Sequence, residues 1–162
     1  ALKAGVVAEK DIPEALEGMA ALNAAAAEVL SEVDVSACTD ITGFGLLGHL
    51  QEMITSAGVG ASLDINNIPY YPGTRELAGK GFIPGGAYRN RDYYRSSILL
   101  EREDLWEQLI LLADPQTSGG LLIAVEPGDL SKLLDGLSKK MVKAHYVGKV
   151  TGKEKIRFVY SS

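Results

Sequence analysis

"ACTDITGFGLLGHL", residues 37–50, is the stretch on which the fold turns. Gly43, Gly45 and Gly48 satisfy G-x-G-x-x-G, and Asp40 stands just ahead of them between Thr39 and Thr42. From Gly43 onward Leu47, Leu50 and Ile54 share a helical face, with Leu46 and Met53 beside it. That spacing predicts a helix beginning at Gly43 and stopping at Gly58. The preceding "VSACTD" is poor in large apolar side chains and reads as a strand end or a loop.

Three chemistries fit these residues. In a dinucleotide site the glycines would cradle a pyrophosphate, and Asp64 would follow as the ribose-binding acid. The context opposes it, because a buried apolar strand should precede the turn and Asp40 would face the pyrophosphate with bare negative charge. In a purely structural account Thr42 caps the helix with its hydroxyl, the glycines permit tight packing, and Asp40 complements the positive helix end by roughly 0.3–1 kcal/mol. In a metal-phosphate site the free N–H groups of the helix start attract an anion, and a cation relieves the repulsion from Asp40. Mg²⁺ suits such a place, since it takes one or two carboxylates together with nucleotide phosphates. The Gly-Lys-Ser/Thr ending of a P-loop is absent.

Outward from this stretch, Asp11, Pro13 and Glu14 start a helix expected over 13–32, with Leu16, Met19, Leu22, Ala26, Leu30 and Val33 near helical spacing. The run Ala24–Ala27 favours helix and lets a neighbour come close. "VGASLDI" alternates as a strand. Residues 66–90 are irregular and rich in Pro and Gly, with a short helix at Thr74–Ala78. Helical stretches are expected at Tyr88–Leu100 and Glu103–Leu112, with Trp106, Leu109 and Ile110 on the buried side of the latter. "ADPQTSGGLLIAV" is a second turn-rich motif feeding a strand at Leu121–Val125. Pro127 and Gly128 open a helix carrying Leu130, Leu133, Leu134 and Leu137. "AHYVGKV" and "IRFVY" read as two strands joined by a turn at Thr151–Lys153. Helices and strands mix without strict alternation, which predicts an α+β fold, helices packed on a mixed β-sheet.

The chain's 162 residues suit a single domain, 1–162, with its own core. A net charge of −5 offers no basic face for nucleic acid. Arg89, Arg91 and Arg95 cluster, but Asp92 interrupts them, so a solvated face is expected. No apolar run approaches the ~20 residues of a membrane span. The lone Cys38 excludes an internal disulfide, suits a reducing cytoplasm and is expected to be a buried, inert thiol. His49, on a helix, and His145, on a strand, lack partners at metal-ligand spacing. The N-terminus has neither an initiator Met nor the shape of a signal peptide, so the chain reads as processed or cut from something longer.

Taken together, "ACTDITGFGLLGHLQEM", "IPGGAYRN" and "ADPQTSGGLLIAV" strongly resemble the C-terminal half of the selenophosphate synthetase (selenide, water dikinase) family. "LKAGVV", the alanine-rich helix with Asn23, "GVGASLDINNIPYYPG" and the closing "VGKV…KIRFV" fit as well, so the resemblance spans essentially the whole chain. It implies a fold like the C-terminal domain of aminoimidazole ribonucleotide synthetase. It also implies an ATP-dependent phosphotransferase, a cytoplasmic homodimer that makes selenophosphate, AMP and phosphate from ATP, selenide and water.

The family's reactive Cys or selenocysteine, its lysine and most of its Mg-binding aspartates belong to an N-terminal domain. The resemblance therefore implies no catalytic residue here, and a chain that is inactive and monomeric without that partner. It carries one Mg²⁺ ligand onto this sequence, Asp40. Thr42 and Gly43 are implied beside the phosphates of the nucleotide. Asp114, Thr117, Ser118, Gly119 and Gly120 are expected near the same cleft, where a Ser/Gly-rich turn offers hydroxyls and amides to anions, or else as a plain turn into the strand at Leu121. A non-catalytic binding module of the same fold is the rival account.

Overall fold

The computed structural model describes residues 1–152 and 155–159. Its helices are α1 (Pro13–Ala20), α2 (Ala24–Leu30), α3 (Gly45–Ala57), α4 (Thr74–Gly79), α5 (Gly85–Tyr93), α6 (Leu105–Gln108) and α7 (Leu130–Lys139). Its strands are β1 (Val35–Asp40), β2 (Gly60–Asp64), β3 (Ile98–Leu100), β4 (Leu121–Val125), β5 (Gly148–Thr151) and β6 (Ile156–Val159). They form a four-stranded mixed sheet, ordered β3-β6-β2-β5, and a separate antiparallel pair, β1-β4. The expected α+β class holds.

Alternation along β4 explains why there are two cores. Leu122 faces the main core, formed by Leu47, Leu50 and Ile54 of α3, Leu63 of β2, Phe158 of β6, and Leu105, Leu109 and Leu112. Leu121, Ile123 and Val125 face the opposite way, onto Ala26, Val29 and Val33 near α2 and onto Leu133 and Leu137 of α7. A strand covered on both faces reads as a continuous apolar run, here "LLIAV". The close approach foreseen for the alanine-rich segment is made to α7: a Cβ on Gly136 would come within 2.6 Å of Val29 Cγ1.

Several expected elements are shorter or differently placed. The helix expected over 13–32 is two helices, because Ala21 is extended and Asn23 begins α2 without a side-chain cap. Leu22 is 85% exposed and so contributes nothing to the apolar face assigned to it. "VSACTD" is a full strand. The helix after it starts at Gly45 and not Gly43, and stops as expected at Gly58, whose φ of 66° is left-handed. The helix expected at Tyr88–Leu100 ends at Tyr93, and Ile98–Leu100 pairs in parallel with β6 at the sheet edge. Only Leu105–Gln108 of the helix expected at Glu103–Leu112 is α-helical, although Leu109 and Ile110 are buried as foreseen.

In "AHYVGKV" the strand begins at Gly148, so His145 is not on it; His145 is exposed. β5 and β6 do not pair with each other: β2 lies between them, antiparallel to β5 and parallel to β6. Part of the turn expected at Thr151–Lys153, and Tyr160, lie outside the described residues.

This topology overturns the dinucleotide reading. A Rossmann turn joins two parallel strands of one sheet through its helix. Here α3 connects β1 and β2, which belong to different sheets. Asp64 accepts from the Asn66 N–H at 3.0 Å and starts a 3₁₀ turn.

Candidate functional site

The three motif segments meet at the C-terminal end of β1. Asp40 pairs with Leu121 in the β1–β4 ladder. Beyond it the backbone bonds continue: Ile41 N–H donates to Gly120 O at 2.9 Å, Gly119 N–H to Ile41 O at 2.9 Å, and Gln116 N–H to Thr42 O at 3.0 Å. Leu47 N–H donates to Leu112 O at 2.9 Å and fixes the start of α3 against the same loop. Asn90, from "IPGGAYRN", donates through Nδ2 to Gly43 O and to Ala113 O, each at 3.0 Å. One side chain thus bridges the two glycine-rich turns.

The glycines at this junction do different things. Gly45 has φ of 68°, and a Cβ there would lie 2.7 Å from Leu112 O and 2.9 Å from Asp114 O. A Cβ on Gly119 would meet Ile41 at 2.8 Å, and one on Gly86 would meet Pro115 Cγ at 2.8 Å. These glycines let the segments touch. Gly43 has open space where its Cβ would be and no positive φ, so its lack of a side chain leaves the turn uncovered.

Uncovered backbone makes the junction suited to anions. Among the described residues, the N–H groups of Gly43, Phe44, Thr117 and Ser118 donate no hydrogen bond. Gly43, Phe44 and Thr117 are exposed. Such unsatisfied N–H groups attract negative charge. Ser118 behaves otherwise than its motif suggests: its hydroxyl donates to Ala21 O at 3.3 Å, tying the turn to the break between α1 and α2.

Asp40 is exposed, and among the described residues its carboxylate has no hydrogen bond or ion pair. An unengaged carboxylate beside uncovered amides has the donor chemistry of a hard cation's ligand. No group of three His, Cys, Asp or Glu residues gathers around it among the described residues. Asp114, on the adjoining loop, is half-buried. Burial pushes its carboxyl above the ordinary value, and a hydrogen bond from Gln116 opposes that shift.

The hydroxyl of Thr42 does not cap α3. No side chain caps that helix; Thr42 Oγ1 lies 3.1 Å from His49 Nε2 instead. His49 is 8% exposed, with its Nδ1 3.3 Å from a Glu52 carboxylate oxygen. Cys38 is exposed and not buried as expected; partial burial, then the charge of Asp40, hold its thiol above the usual value. It is accordingly a poor nucleophile near neutrality. Nor is Arg91 a solvated cation. It is buried, lies 4.8 Å over the Trp106 ring, and pairs with Asp92 and Glu107. Its contacts anchor α5, the helix that carries Asn90.

The contacts of Asn90 and His49 were hidden in the sequence. Asn90 ends a quoted motif, but only the fold reveals its two carbonyl acceptors. Two surface cavities, about 290 Å³ beside Pro72 and Lys80 and about 420 Å³ beside Leu134 and Val142, lie away from this junction.

Residues 2–161 match the family described as AIR synthase related protein, C-terminal domain. A selenide, water dikinase of Caldanaerobacter subterraneus subsp. tengcongensis is 48% identical over 141 residues, 86% of this chain and 41% of that protein. One from Carboxydothermus hydrogenoformans is 45% identical over 151 residues, 93% of this chain and 44% of that protein. The chain therefore spans about two fifths of the length of these curated relatives. Among solved structures, the hydrogenase maturation protein HypE of E. coli superposes with a TM-score of 0.62 at 18% identity, covering 85% of this chain and 36% of that one. PurL of T. maritima, complexed with FGAR, gives 0.51 at 18% identity, covering 82% of this chain and 17% of that one. These last two likenesses concern the fold.

Proposed function

Because the chain belongs to the family of AIR synthase related proteins, C-terminal domain, we propose that it works as the nucleotide-covering domain of a selenide, water dikinase. In this reading residues 1–162 are one domain of a two-domain, cytoplasmic enzyme, homodimeric through its other half. That enzyme makes selenophosphate, AMP and phosphate from ATP, selenide and water. The observation that carries the reading is the junction itself: the three motifs that resemble the family's are tied together around an unengaged Asp40 and a group of uncovered amides.

Each residue has a physical role in the proposal. Asp40 supplies one carboxylate to Mg²⁺, and further ligands come from the other domain. The ion offsets phosphate charge when bound. The Gly43 amide and those of Thr117 and Ser118 line the phosphates, and Thr42 and Gly119 complete the two turns. Preorganisation matters because donors held in place spend no free energy on reordering as charge moves. Asn90 holds the two turns at a fixed separation. Reactive groups come from the other domain, so the 162-residue chain alone turns over no ATP. Selenide-dependent formation of AMP by that chain would refute this part.

Asp40→Asn in the two-domain polypeptide tests the site. The substitution keeps shape and removes charge from an exposed side chain, so folding is unaffected. Loss of a partner that merely orients a metal ligand costs about 10–100-fold, and loss of the ligand itself should cost at least as much. Raising Mg²⁺ should recover part of the rate. Near-normal activity at low Mg²⁺ would remove Asp40 from the site.

A further inference from the structure

Thr42, His49 and Glu52 form a chain of polar contacts that ends at the candidate site. Thr42 Oγ1 is 3.1 Å from His49 Nε2, and His49 Nδ1 is 3.3 Å from the Glu52 carboxylate. Glu52 follows His49 by one helical turn of α3, so the fold of the helix sets this arrangement. The ring is buried against Phe44, centroids 5.6 Å apart, and Tyr94 lies close enough to Glu52 to feel its charge.

A neutral imidazole carries one N–H, and a carboxylate beside one nitrogen draws the proton there. Glu52 therefore favours the proton on Nδ1 and leaves Nε2 as an acceptor. Thr42 has a single hydroxyl proton. If Nε2 accepts, that proton is committed to His49, and the remaining capacity of Oγ1 is lone pairs alone.

We infer that His49 and Glu52 are positioning residues that hold the Thr42 hydroxyl as an acceptor toward the site, unable to donate to a phosphate oxygen. The inference rests on the proposed function for its phosphate, but the contacts among the three side chains stand without it. It changes the role of Thr42 in that proposal. Phosphate contact at this turn falls to the N–H groups of Gly43 and Phe44, and Thr42 faces a water or another donor.

The test reads the His49 tautomer by two-bond ¹H–¹⁵N correlation on the 162-residue chain, at about pH 8.5, some two units above the ordinary histidine value. The wild type should show the Nδ1–H form. Glu52→Ala should shift the population toward Nε2–H, with Glu52→Asp intermediate. On adding inorganic pyrophosphate together with Mg²⁺, the Gly43 and Phe44 amide resonances should move while His49 keeps its tautomer. An Nε2–H tautomer in the free wild type would overturn the inference, as would a switch to it with pyrophosphate. Unmoved Gly43 and Phe44 amides would overturn the phosphate assignment and the proposed cradle with it, and the tautomer of the free chain would still decide the relay.

Discussion

Gly43 and Gly45 stand two residues apart in one glycine fingerprint, yet alanine should have opposite consequences at the two. At Gly45 the backbone is left-handed, φ 68°, and the new Cβ would lie 2.7 Å from Leu112 O, 2.8 Å from Ala113 C and 2.9 Å from Asp114 O. The left-handed conformation costs an L-residue about 1–2 kcal/mol. The narrower unfolded ensemble of alanine returns about 0.4–1 kcal/mol. Overlap with the 112–114 backbone adds about 1–3 kcal/mol, because Leu112 O and Ala113 O are held by Leu47 and Asn90 and have little room to yield. The sum is a loss of about 1–4.5 kcal/mol for Gly45→Ala. Gly43→Ala meets nothing within 4 Å and needs no unusual φ, so it should stay within about 0.5 kcal/mol.

Urea denaturation followed by far-UV circular dichroism separates them. With an m-value of about 2 kcal/mol per molar, Gly45→Ala should lower the midpoint by about 0.5–2 M and Gly43→Ala should scarcely move it. A Gly45→Ala midpoint within about 0.3 M of wild type would refute the close approach of the two turns. An equal loss at both positions would refute the division of the fingerprint into a packing glycine and an open one.

Two further substitutions probe the junction. Asn90→Ala removes both bridging bonds; Gly43 O can turn to water, but Ala113 is fully buried, and an unpaired buried carbonyl costs about 1–3 kcal/mol. We expect a loss of about 2 kcal/mol by urea titration, faster hydrogen exchange at Gln116 and Gly119, and no change at the α2–α7 core; unchanged exchange would deny Asn90 the bridging role. Asp114 has a raised carboxyl, mainly through burial. The folded state thus binds its proton more tightly than the unfolded state, and the stability this gives is lost as pH rises through the window just above the ordinary carboxylate value. Asp114→Asn should remove that downward slope on the side just above the ordinary carboxylate value, and an unchanged slope would place the carboxyl in a wet, ordinary environment.

What the sequence disclosed and what it hid divide along one physical line. Side-chain periodicity reports which face of an element is buried, so α3, α7, β2 and β4 could be read from Leu47, Leu133, Leu63 and their neighbours. It does not report which strand lies alongside which. β5 and β6 are consecutive and only four residues apart in sequence, a spacing that favours a hairpin, yet both pair with β2. No Pro or Gly at 21–23 announces the break between α1 and α2; alanine is the best helix former, yet Ala21 is extended and its carbonyl accepts from the Ser118 hydroxyl.

The junction depends still more on groups that every residue owns. Thr42 O accepts from Gly45 N–H and from Gln116 N–H, and Ile41 exchanges backbone bonds with Gly119 and Gly120. No side-chain pattern encodes such bonds, so from the sequence the two glycine-rich turns could be joined only through resemblance. Asn90 is the exception, a side chain with two donor hydrogens serving two main-chain acceptors in different motifs. That makes its position informative beyond stability. In the proposed site, a shift of the turns by an ångström would keep Asp40 and the amides near 117 from addressing one ligand, and a misplacement of that size can cost about 10²-fold in rate. Asn90→Ala in the two-domain polypeptide should therefore lower kcat even at temperatures where the variant is fully folded. A kcat unaffected under those conditions would mean that the junction is a fold device alone.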